Sequence, residues 1–175
     1  MNTFGYKARR LVAYAIDWYL YSLILVVFNM VFSKMLHVES TSYATLELYG
    51  MKYALIALFL MLIIHCIYFV AVPLLWNGQT LGKKITKLKI VGADGNAVTL
   101  KQLILRELLC TLVIEGYISA YGGYLRTFIA MMFGNIKVLV MVWFVISGLS
   151  VASGMYSKQN RMLHDLIGKT KVISL

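Results

Sequence analysis

Four stretches of this chain stay apolar for roughly twenty residues at a time, the length a helix needs to cross the hydrocarbon core of a bilayer. They cover about residues 11–32, 53–76, 103–122 and 136–156. They predict an all-α membrane protein with four transmembrane helices, built as one domain over residues 1–175. Composition supports membrane over cytosol: 61% of residues are hydrophobic and 14% charged, against roughly 45–50% and about 25% in soluble domains. The competing class is a soluble helical bundle with an oily core. Within the third run, Glu107 and Glu115 interrupt the apolar sequence, and its end near Gly122-Gly123 is weakly marked.

Charge sets the expected orientation. The formal net charge is +10, and basic residues flank the apolar runs, where they hold loops on the cytoplasmic side and meet anionic lipid. Lys7, Arg9, Arg10, Lys83, Lys84, Lys87, Lys89, Lys101, Arg106, Lys158, Arg161, Lys169 and Lys171 fall on one side of a four-span arrangement. Lys34, Lys52, Arg126 and Lys137 fall on the other. That bias puts both termini in the cytoplasm of a multi-pass protein of the cell membrane. A three-span arrangement would leave one basic terminus outside. Basic and aromatic residues do not interleave on a polar surface, so nucleic acid is discounted as a partner. A removable signal peptide is not expected after Met1–Arg10, because the following apolar stretch is long and carries Asp17. Cys66 and Cys110 lie in apolar segments and read as buried small hydrophobes.

The segment between the second and third runs differs in kind. Gly78-Gln79-Thr80-Leu81-Gly82-Lys83-Lys84 is polar, after which Ile85, Leu88 and Ile90 alternate with polar neighbours. Asp94-Gly95 is a two-residue turn signal before Ala97-Val98-Thr99-Leu100. A short hairpin or interfacial segment at the cytoplasmic membrane surface is expected here, lysines toward headgroups and aliphatic residues inward.

The ionisable residues inside apolar sequence are the candidate site. Arg10 and Asp17 are seven residues apart, so on a helix they face one way, roughly 10 Å apart along the axis. A buried aspartate costs roughly 2.5–3.5 kcal/mol on insertion scales and so needs a cation, a proton or a donor as partner. Two readings stand: a static Arg10–Asp17 pair that fixes packing, or a site that moves protons or ions. His164-Asp165 is a second concentration of polar groups, either a proton relay or a helix cap paired with Arg10 or Arg106 at the membrane edge. His65, deep in the second run, reads as a hydrogen-bonded neutral imidazole or a functional group. Glu115 reads as either a deep carboxylate or a solvated residue at the outer interface. Gly82-Lys83 resembles a fragment of a phosphate loop without the remaining glycines or the following Ser or Thr. No histidine or cysteine spacing suggests a metal site. No nucleophile with a base stands out, so neither a cofactor nor an enzyme activity is expected.

Three blocks together resemble the RDD family of small membrane proteins, named for one arginine and two aspartates. Arg10-Leu11-Val12-Ala13-Tyr14-Ala15-Ile16-Asp17 matches its R-x-x-A-x-x-I-D opening. Gly78-Gln79-Thr80-Leu81-Gly82-Lys83-Lys84, with Ile90-Val91, Asp94-Gly95 and Arg106, resembles its central G-x-T-L-G-K segment. Leu163-His164-Asp165, then Thr170 and Val172, resembles its closing L-H-D-x-x-x-x-T-x-V. The spacing from Gly5-Tyr6 fits Arg9 nearly as well as Arg10, whereas the spacing to Asp17 favours Arg10. The resemblance implies a multi-pass membrane domain of unassigned molecular function, for which transport, including sodium/proton exchange, has been suggested.

Two functions are therefore expected as alternatives. One is transport of small cations such as Na⁺ coupled to H⁺, with the pathway between protomers of a homo-oligomer, because four short spans enclose little volume. The other is a membrane scaffold or regulatory partner in which the Arg/Asp cluster is a structural clamp.

Overall fold

The computed structural model describes residues 3–38, 46–156 and 160–175; Glu39 and Lys158 lie outside them. Helix α1 (Thr3–Met35) is longer at both ends than its apolar run. Every fourth residue on one face is buried, through Ala13, Asp17, Tyr21, Leu25 and Asn29, while Leu11, Tyr19, Val27 and Met35 are exposed. That is the one-stripe burial of a helix whose other faces meet lipid.

A 3-10 turn at Leu46–Tyr49 leads into α2 (Gly50–Cys66), continued by a π turn at Ile67–Ala71 and by α3 (Val72–Leu75). Pro73 explains the local widening. It offers no N–H, and its ring would crowd the carbonyl four residues back in a regular helix. Ala54, Ala57, Leu58, Met61 and Tyr68 face inward. They pack with Tyr21, Leu25 and Phe32 of α1 and with Leu112, Tyr121 and Phe128 into the main core.

A short helix, α4 (Leu81–Ile85), precedes strand β1 (Leu88–Gly92). The Asp94-Gly95 turn forms as expected, with Gly95 at φ +93° and its N–H bonded to Gly92 O at 2.9 Å. The returning arm, however, makes a single bridge, Val91 to Ala97. The strand partner of β1 is instead β2 (Thr170–Ser174) at the C-terminal end, antiparallel in the register Leu88↔Ser174 to Gly92↔Thr170. The expected hairpin is thereby corrected, and the physical reason is local. Thr99 caps the next helix in a reciprocal capping box with Gln102, so the arm turns helical before it can extend the ladder. Ile90, Val172, Leu88, Val98 and Leu103 form a second, smaller core against Ala13 and Val70. A cap is thus seated on one end of the helices.

The third apolar run is divided. Helix α5 (Leu100–Ile104) passes into a π-helix at Leu105–Ile114. The chain then leaves helical geometry and resumes as α6 (Ala120–Phe133), capped by the Ser119 hydroxyl. Side-chain donors serve five backbone carbonyls at the break. Trp143 Nε1 serves Val113 at 2.9 Å, and the Ser147 hydroxyl serves Glu115 at 2.8 Å. Arg126 serves Gly116 and Tyr117, and Trp18 serves Ile118 at 3.2 Å. Irregular backbone packed among apolar side chains survives only when its polar groups are satisfied in this way by protein.

Helix α7 (Lys137–Tyr156) coincides with the fourth run and buries only Trp143, Ser147, Ser150 and Gly154. The chain closes with α8 (Leu163–Ile167) and β2. Among the described residues, three helical segments are long and apolar enough to cross a membrane: Gly5–Met35, Leu46–Leu75 and Lys137–Tyr156.

Candidate functional site

Asp17 is 2% exposed and its carboxylate is enclosed by donors. Oδ1 accepts from the Tyr68 hydroxyl at 2.9 Å and from the Gly82 N–H at 2.8 Å. Oδ2 accepts from the Thr80 hydroxyl, and Lys83 Nζ stands 3.6 Å away. Thr80 is also the N-cap of α4, which fixes its side chain and aims the Gly82 amide at the carboxylate. Glycine at 82 is dictated by the approach of α4 to α1. A Cβ there would stand 2.2 Å from Ala13 O and 2.9 Å from Asp17 Cγ. Gly82-Lys83 is therefore a carboxylate cradle and not a phosphate loop.

Arg10 does not pair with Asp17, which corrects the first of the two readings. The two do share a face, but the rise between them sends Arg10 to the tail. Its Nη2 bonds Asp165 Oδ2 at 2.8 Å, and its Nη1 bonds the Asn160 carbonyl. Arg9 is half-buried and belongs to neither site, so Arg10 is the arginine of the cluster. Asp165, fully buried, also takes Arg106 Nη1 on Oδ1 and the Met162 N–H on Oδ2 at 3.0 Å. Arg106, 3% exposed, also donates to the Thr170 hydroxyl at 2.8 Å and to Glu107 Oε1 at 2.9 Å. The single Arg/Asp cluster expected from sequence is two sites: one ties α4 to α1, the other ties the tail to α1 and to the π-helix.

His164 links the second site to the helix break. Its Nδ1 lies 3.0 Å from Glu115 Oε2 and its backbone N–H bonds Glu115 Oε1 at 3.1 Å. Its Nε2 lies 3.9 Å from Asp165 Oδ1. The Ser150 hydroxyl completes Glu115 at 2.6 Å. Glu115 is therefore not a solvated residue of the outer interface; it is packed against the tail. His65, 1% exposed, makes no hydrogen bond through either ring nitrogen, contrary to the hydrogen-bonded imidazole expected. It sits among the rings of Tyr21, Phe69 and Tyr121.

Tyr68, Thr80, Glu107, Ser150 and Thr170 were not among the site residues expected from sequence. Thr80 and Thr170 stand in the quoted motif blocks and Glu107 interrupts an apolar run beside Arg106, so these three carried a signal; Tyr68 and Ser150 carried none.

Burial alone would raise the Asp165 pKa, but the charges of Arg106, His164 and Arg10 outweigh burial and hold it well below its ordinary 3.8. The unfolded chain takes up this proton near 3.8 and the folded chain only at much lower pH. The stabilisation is therefore whole at neutral pH and is lost as pH falls below that value. Melting of detergent-solubilised protein should show an acid limb below about pH 4 that the Asp165→Asn protein lacks.

No curated protein and no solved structure matches the chain. The RDD family model matches residues 7–169, a stretch that takes in Arg10, Asp17 and Asp165 together with the cradle at Gly78–Lys84. The chain belongs to the RDD family.

Proposed function

We propose that this chain is a four-crossing protein of the cell membrane, with both termini cytoplasmic, in which Asp17 and Asp165 clamp a small basic cap onto the helix bundle. The fourth crossing is the broken one. Its π-helical part contacts α8 beside Asp165, and α6 reaches the Leu46–Tyr49 turn at the opposite end. The observation that carries the clamp reading is the filling of Asp17. Two hydroxyls, one amide and one ammonium already surround it. A hard cation needs oxygen acceptors in those places. The cap exposes Lys84, Lys87, Lys101 and Lys169, a surface suited to anionic lipid or to an acidic partner protein.

Sodium-driven dequenching of a pH dye in vesicles tests this. Asp17→Asn protein, reconstituted in equal folded amount, is expected to match wild type. Exchange by wild type that Asp17→Asn abolishes, with its melting temperature unchanged, would overturn the reading.

Transport of small cations coupled to protons is the second reading, and one observation favours it: a carboxylate–imidazole pair lies at a break in a membrane-depth helix, the arrangement transporters use for their sites. It would rest on Glu115 and His164, and not on Asp17.

A further inference from the structure

Among the described residues, the buried side-chain polar atoms without a hydrogen-bond partner are Tyr21 Oη, His65 Nδ1 and His65 Nε2. All three belong to one spot. The rings of Tyr21 and His65 are 5.3 Å apart, edge to face, and both residues are 1% exposed. Leaving one such group unmet costs roughly 1–3 kcal/mol, so three together, where the other buried side-chain polar atoms of the described residues are paired, point to a species that serves them. An imidazole with a donor and an acceptor beside a hydroxyl with the same pair is served by water-sized hydrogen-bonding partners and by protons.

The surroundings extend this spot in both directions. Toward the cap, Tyr68, whose ring lies 6.1 Å from that of Tyr21, donates to Asp17. Glu107, paired with Arg106, faces His65 on the π-helix. Away from the cap, Tyr121, Tyr124 and Cys66 neighbour Tyr21. The Tyr124 hydroxyl accepts from Asn29 at 2.7 Å, and Tyr49 donates to Asn29 Oδ1 at 3.3 Å near the far end of α1. Hydroxyl, imidazole, carboxyl and amide groups thus recur along the interior from Asp17 to Tyr49.

We infer that His65 and Tyr21 form a hydrated proton-exchange station inside the bundle, through which protons cross without a coupled cation. A proton accepted at one ring nitrogen and released from the other, by way of water or the Tyr21 hydroxyl, returns a neutral imidazole in its other tautomer. No net charge stays behind in the apolar core. This inference stands apart from the clamp reading: the clamp concerns what Asp17 and Tyr68 hold in place, whereas the test here varies only His65 and Tyr21.

The test is potassium-diffusion-driven proton uptake into pyranine-loaded liposomes in sodium-free buffer. Wild type is expected to admit protons well above protein-free vesicles. His65→Leu should slow uptake by about 100-fold, the usual order for loss of a positioned proton-transfer group. Tyr21→Phe, which removes only a hydroxyl, should slow it less but measurably while melting at the wild-type temperature. Tyr19→Phe, on the exposed face of α1, should change nothing. If His65→Leu does not fold, Tyr21→Phe decides alone. Wild-type uptake no faster than empty vesicles, or Tyr21→Phe uptake equal to wild type, overturns the inference.

Discussion

Asp165→Ala protein is expected to lose about 3–5 kcal/mol of stability, the usual cost of stripping one partner from a buried ion pair. The magnitude follows from what is left behind. Arg106 is 3% exposed and Arg10 is mostly buried, and among the described residues Asp165 is the carboxylate that both reach. Glu107 remains to Arg106 alone. Arg10→Met is expected to cost less, since Asp165 would keep Arg106 and the Met162 amide. Thermal melts of the two variants in one detergent check the order. A reversed order would show that the tail is held mainly by Arg10.

Asp17→Ala comes next, at roughly 3 kcal/mol or more, with each orphaned donor contributing about 1–3 kcal/mol, not additively. Three donors, the Tyr68 and Thr80 hydroxyls and the Gly82 amide, lose their acceptor together, and Lys83 loses its counter-charge. The damage should be local to the segment from Gly78 to Lys84, because α4 is held to α1 at the point where Gly82 meets Ala13. Lowered melting temperature without loss of helix content by circular dichroism is the expected signature.

Helical arithmetic made part of this legible in advance. Arg10 and Asp17 do share a face, and the long apolar runs are helices where periodicity and length said so. Arg106 and the His164-Asp165 pair were recognisable as polar groups that an apolar chain must shelter. What each carboxylate binds was not legible, because its partners arrive from distant sequence: Tyr68 and Thr80 stand 51 and 63 residues from Asp17, and Arg106 stands 59 from Asp165. The pairing of β1 with β2 was hidden for the same reason, since local turn chemistry at Asp94-Gly95 is genuine but carries the chain into α5. The break in the third run escaped for a different cause. A π-helix does not advance 100° per residue, so the phases that would have turned Arg106, Glu107 and Glu115 inward together cannot be read from a 3.6-residue period. The break's stability also depends on Trp18, Arg126, Trp143 and Ser147, none of which neighbours it in sequence.

Hydrogen–deuterium exchange of wild-type and Asp17→Asn protein in nanodiscs tests the clamp most directly. Backbone amides from Gly78 to Ile85 should exchange faster in the variant while those of α7 keep their wild-type protection. Unchanged protection from Gly78 to Ile85 would contradict the account, since Asp17 would then be holding nothing in place.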